Sequence, residues 1–65
     1  MTMRKYRISI YGLFGHIFDV EMKMWYGWIV IKRFKADVSD VNRMIDNIIY
    51  CNMLAEELLE KLKEE

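Results

Sequence analysis

Apolar and polar residues alternate with a period of two along the first half of the chain, and the pattern turns helical near residue 38. Tyr6, Ile8 and Ile10 would share one face of an extended segment, with Lys5, Arg7, Ser9 and Tyr11 on the other. Such alternation among β-branched and aromatic residues predicts a strand over about 4–11. Residues 16–24 alternate more cleanly, with His16, Phe18, Val20, Met22 and Met24 set against Ile17, Asp19, Glu21 and Lys23. A third strand is predicted over about 28–35. Gly12-Leu13-Phe14-Gly15 separates the first two strands and supplies two residues free to take positive φ, so a tight reversal is expected there. Leu13 and Phe14 are expected to fold back on the sheet, since large apolar side chains favour burial.

The second reversal, Trp25-Tyr26-Gly27, leaves two registers open. A three-residue turn closed by Gly27 pairs Met24 with Trp28 and sets Asp19 opposite Arg33. A two-residue Tyr26-Gly27 loop sets Glu21 opposite Lys32 instead. Either register forms one cross-strand ion pair. Both also leave the third strand apolar on its two faces, with Ile29 and Ile31 on one and Trp28, Val30 and Phe34 on the other. The solvated face of an antiparallel sheet is normally polar, so part of this one is expected to be covered.

After Lys35 the period becomes helical. Asp37 and Ser39 are candidate N-caps, and early carboxylates suit the positive end of the helix dipole. Nothing breaks the pattern to residue 63, which predicts one helix over about 38–63. Such a helix is roughly 40 Å long, against roughly 27 Å for an eight-residue strand, so it should overhang its sheet by about two turns. Its main stripe is Val41, Met44, Ile45, Ile48, Cys51, Ala55, Leu58, Leu59 and Leu62, spaced as one helical face requires. Ile49 and Met53 widen the stripe, and Tyr50 and Leu54 carry it towards the back. A helix this apolar is expected to be covered on more than one side. Met44, Ile45, Ile48, Ile49, Asn52, Met53, Leu54, Leu58, Leu59 and Leu62 therefore form the expected self-association surface. Asn52 either reaches water at the edge of the stripe or pairs with its symmetry mate, as polar residues do in helical interfaces. Glu57 and Lys61 are spaced as a helix-supporting pair. The whole is an α+β arrangement, β-β-β-α, of one domain, ordered apart from the first few residues and the 61–65 end.

Size reinforces the case for association. At 65 residues the chain has 54% hydrophobic residues, one cysteine and one histidine. Chains this short bury only roughly 60% of their unfolded surface and often need a disulfide, a metal or a partner. Cys51 has no second cysteine, and Cys51 with His16 cannot supply a tetrahedral metal set, so neither metal nor cofactor is expected. A homodimer is the remaining reinforcement. A lone cysteine and no secretory or membrane-spanning pattern point to a cytoplasmic protein. The net charge of zero is split: residues 1–35 hold seven Lys/Arg against two carboxylates, a balance of +5, and residues 36–65 hold three against eight, a balance of −5.

The inventory argues against catalysis. His16 falls among apolar residues without a proton-transfer partner, Cys51 lies mid-helix with no cation beside it, and the glycine turn lacks the Lys/Ser ending of a phosphate loop. Glu56-Glu57 and Glu64-Glu65 read as a solvated helix face. Trp25, Tyr26 and Trp28 at a hairpin tip, with Lys5, Arg7, Arg33 and Lys35 on the sheet, are the expected partner-binding residues. At least one of Trp25 and Trp28 should stay exposed. Such residue types dominate protein interfaces, so the expected role is a non-catalytic protein-binding homodimer. A regulator or inhibitor of a larger host protein, of viral or mobile-element origin, would suit a chain of this size. The alternative is a nucleic-acid- or nucleotide-binding module in which the basic sheet holds phosphates and the aromatics stack on bases.

Overall fold

The computed structural model describes residues 4–64 as a three-stranded antiparallel sheet followed by one helix, the β-β-β-α order that the alternation predicts. The strands are β1 (Tyr6–Tyr11), β2 (Ile17–Met24) and β3 (Gly27–Lys35), and the helix is α1 (Met44–Lys63). Met1–Met3 and Glu65, with half of the Glu64-Glu65 pair, lie outside the described residues. The strands are hydrogen-bonded in sequence order, so β2 is central. The buried core accordingly centres on β2, through Phe18 and Val20, which meet Ala55 of α1. Ile8, Phe34, Ile48, Cys51, Leu58 and Leu62 close around them. α1 touches all three strands.

Neither register considered from the sequence holds along the whole β2–β3 hairpin. The loop is Trp25-Tyr26, with Met24 paired to Gly27, and the register then shifts between Val20 and Glu21. Glu21 faces Val30 and Val20 faces Lys32, which leaves Ile31 as the extra residue of a bulge. Beyond the bulge Asp19 faces Arg33, the pairing that the three-residue turn would have given. The bulge also redistributes the two-sided apolar strand, although Trp28 and Val30 stay on the open side. It turns Phe34 to the helix side, opposite Phe18, and Arg33 to the open side. No non-glycine residue has positive φ among the described residues, so Trp25 and Tyr26 cannot form the primed turns that suit hairpin twist. Gly27, at φ +136°, takes up the mismatch.

Leu13 and Phe14 do not fold back: they are 88% and 52% exposed. The Gly15 N–H donates to the Gly12 carbonyl at 3.1 Å, closing a turn that points both side chains outward. His16 lies beneath it, half-buried, against Gly12.

α1 starts at Met44, six residues later than predicted, and runs to Lys63, into the 61–65 end expected to lack order. Asp37 and Ser39 are therefore not its caps. The Asp37 carboxylate accepts from the Ser39 N–H and hydroxyl, and Asp40 accepts from the Asn42 N–H. These short-range bonds compete with helix formation, and residues 36–43 stay outside the helix. Arg43 stands at the N-cap without a side-chain cap bond. At 20 residues α1 is about 30 Å long, no longer than nine-residue β3, so length alone no longer makes an overhang. The molecule nevertheless extends 47 Å along its longest axis.

Candidate functional site

The open face of the sheet is roofed by its own charged side chains. Asp19 projects there from β2, and its side chain is 4% exposed although no other element covers that face. Arg33 Nε donates to Oδ1 at 2.8 Å and Nη2 to Oδ2 at 3.2 Å, a two-pronged grip from the neighbouring strand. The Tyr11 hydroxyl donates to Oδ2 at 2.9 Å from the other side. The Arg33 guanidinium holds the Asp19 carboxyl below its ordinary value, with help from Tyr11 and against the cost of burial. Tyr11 is pushed up by desolvation and by its bond to Asp19, and Arg33 is raised by the carboxylate. A second cluster lies beside the first. Arg7 Nε donates to Glu21 at 2.6 Å while its guanidinium sits 4.1 Å from the centroid of the Trp28 ring. Cation–π contact and the ion pair together cover Trp28, which is half-buried.

The expected partner-binding residues consequently divide. Lys5 and Lys35 are exposed on the open face, while Arg7 and Arg33 are engaged by carboxylates and Trp28 is covered. Trp25 and Tyr26 stand free at the tip, 92% and 60% exposed. Their rings meet edge-to-face at 5.2 Å, an arrangement aromatic pairs favour.

The expected self-association residues divide as well. Ile48, Leu58 and Leu62 pack on the molecule's own core, and Met44, Asn52, Leu54 and Leu59 are half-buried. Ile45, Ile49 and Met53 remain open, at 67%, 53% and 51% exposure. Their spacing of four sets them side by side along α1, and Tyr50 adjoins them at 60%. These residues form an apolar row on the side of α1 turned away from the sheet. Towards the C-terminus the same side becomes Glu56, Glu57 and Glu60, all exposed. The expected Glu57–Lys61 pair is not closed, since the ion pairs among the described residues are Arg7–Glu21 and Arg33–Asp19.

Other features carry no evident chemistry. A shallow depression runs along Lys35–Ser39. No group of three His, Cys, Asp or Glu is placed to hold a metal among the described residues. No helix is long and apolar enough to cross a membrane. Comparison with protein-family models, curated proteins and solved structures finds no match to the chain.

The Tyr11–Asp19–Arg33 cluster was only partly visible in the sequence. One register placed Arg33 opposite Asp19, but Tyr11 joins through the β1–β2 register, in which Ser9 faces Asp19 and Tyr11 faces Ile17. A five-residue loop between Tyr11 and Ile17 is the signal that would have brought the three together.

Proposed function

We propose that the chain is a small non-catalytic protein-binding module that acts as a homodimer. The outward row of α1 is its self-association surface, and the Trp25–Tyr26 tip contacts a larger protein that it regulates or inhibits. The observation that carries this reading is the row Ile45, Ile49 and Met53 with Tyr50, each more than half exposed on a helix whose other side already covers the core. Contiguous apolar surface of this kind marks interaction sites. The patch is small, so the dimer should be concentration-dependent, with a dissociation constant on the order of micromolar. The tip suits a protein partner because Trp and Tyr anchor interfaces, and both rings are free to be buried there.

Two of the four cations expected to meet phosphates, Arg7 and Arg33, are occupied by Glu21 and Asp19, which weighs against a nucleic-acid surface. Ile49→Glu should yield a monomer by light scattering with an unchanged far-UV spectrum, and Trp25→Ala should abolish capture of a protein partner without changing the mass. An Ile49→Glu variant of unaltered mass would refute the self-association surface. Tight oligonucleotide binding that weakens steeply with salt would replace the protein-partner reading.

A further inference from the structure

β1 and β3 are the two edges of the sheet, and they differ in what they offer outward. The Lys23 N–H donates to the Lys5 carbonyl at 2.9 Å, so Lys5, Arg7, Ser9 and Tyr11 turn their backbone groups towards β2. Tyr6, Ile8 and Ile10 turn theirs away, where no backbone partner meets them among the described residues. On β3 the Ala36 N–H donates to the His16 carbonyl at 2.8 Å, which turns Arg33 and Lys35 outward. Past the Ile31 bulge the outward positions are Val30 and Trp28, so the period of two is broken midway. Bulges of this kind blunt an edge against further pairing. β1 has neither bulge nor proline, and its register with β2 is continuous.

A row of N–H and C=O groups repeating every two residues, roughly 7 Å, is complementary to another extended backbone. Side chains narrow the class of occupant. On the helix side it would lie beside Ile8 and Ile10, the latter 57% exposed although it pairs with core residue Phe18. On the open side it would lie beside Lys5 and Arg7, in a stretch with no carboxylate before Asp19. Arg7 is held by Glu21, whereas Lys5 is in no ion pair among the described residues. Lys5 moreover stands opposite Lys23, and like charges facing each other across strands repel.

We propose that a fourth strand completes β1: an extended segment of the protein partner in which apolar residues alternate with Glu or Asp. This rests on the protein-partner reading and names the chemistry that partner presents. The segment's apolar side chains cover Ile10 on the helix side, and a carboxylate on the open side offsets the repulsion between Lys5 and Lys23. Lys23 is two residues from Trp25, so one partner reaches both the edge and the tip.

Backbone amide hydrogen exchange of the intact chain, with and without a capped Glu-Val-Glu-Val-Glu-Val peptide, tests the proposal. In the free chain the N–H groups of Tyr6, Ile8 and Ile10 should exchange faster than those of Arg7 and Ser9. Saturating peptide should slow exchange at the first three by at least about tenfold. The corresponding Lys-Val peptide should protect them less, and Lys5→Glu should reverse the preference between the two peptides. No protection of Tyr6, Ile8 and Ile10 by either peptide, or protection confined to β3, would overturn strand addition. Equal protection by both peptides would overturn the acidic character assigned to the segment. Capture of a protein partner that still depends on Trp25 would leave the protein-partner reading standing after either failure.

Discussion

Val20→Ala tests whether the fold is held at the β2–α1 contact. Val20 is fully buried, with relative exposure of 0%, on the central strand, and packs with Ala55 of the helix, also 0% exposed. The substitution removes two buried carbon groups, a transfer loss of about 1.6 kcal/mol at roughly 0.8 kcal/mol each. If the surroundings do not close on the space, the cavity raises the loss to about 3 kcal/mol. A chain of 65 residues has only about 3–10 kcal/mol of stability in all. The substitution should therefore remove a large fraction of it. Val30→Ala makes the same chemical change on the open face, where Val30 is 46% exposed, and should cost at most about 0.5 kcal/mol. Urea melts of both variants, followed by far-UV circular dichroism at one fixed low concentration, read the difference without interference from association. Equal losses for the two variants would refute the placement of the core.

Two further outcomes follow from the site and the loop. Because the folded pKa of Asp19 lies below its ordinary value of 3.8, its stabilisation is present above that value and is lost as pH falls through the depressed one. Arg33→Met removes the main cause of the depression, so urea midpoints taken from pH 7 down to about pH 2 should fall less with acid than those of the unmodified chain; identical acid sensitivity would contradict the grip on Asp19. Gly12→Ala should destabilise by about 1–3 kcal/mol, since φ is +100° there and a Cβ would lie 2.8 Å from the His16 ring. Gly15→Ala, whose Cβ meets nothing closer than 3.8 Å at φ +63°, should cost less, and the reverse order in thermal melts would refute the described loop.

The element order was legible because period-two alternation and helical spacing are local signals. Phe18 and Val20 emerged on the correct face of β2, and Ala55, Leu58 and Leu62 on the correct side of the helix. The bulge was not legible: Ile31 looks like any other strand residue, and only the pairing of Arg33 with Asp19 and of Phe34 with Phe18 shows why a shift is needed. The helix start was misplaced because helical spacing persists through Val38 and Val41, while Asp37 and Asp40 bind nearby backbone N–H groups instead. The candidate surface was over-assigned for a related reason. Sequence marks residues as apolar but does not distinguish Ile48, which the sheet already covers, from Ile45 and Ile49, which it leaves open. Hydrophobicity alone places Leu13 and Phe14 on the sheet, against the outward turn that Gly12 and Gly15 impose.

Sedimentation equilibrium of the unmodified chain over a dilution series tests self-association most directly. The account predicts an average mass that approaches twice the 7.9 kDa of the chain at high concentration and falls towards 7.9 kDa on dilution. A mass of 7.9 kDa throughout, with the fold intact, would contradict it.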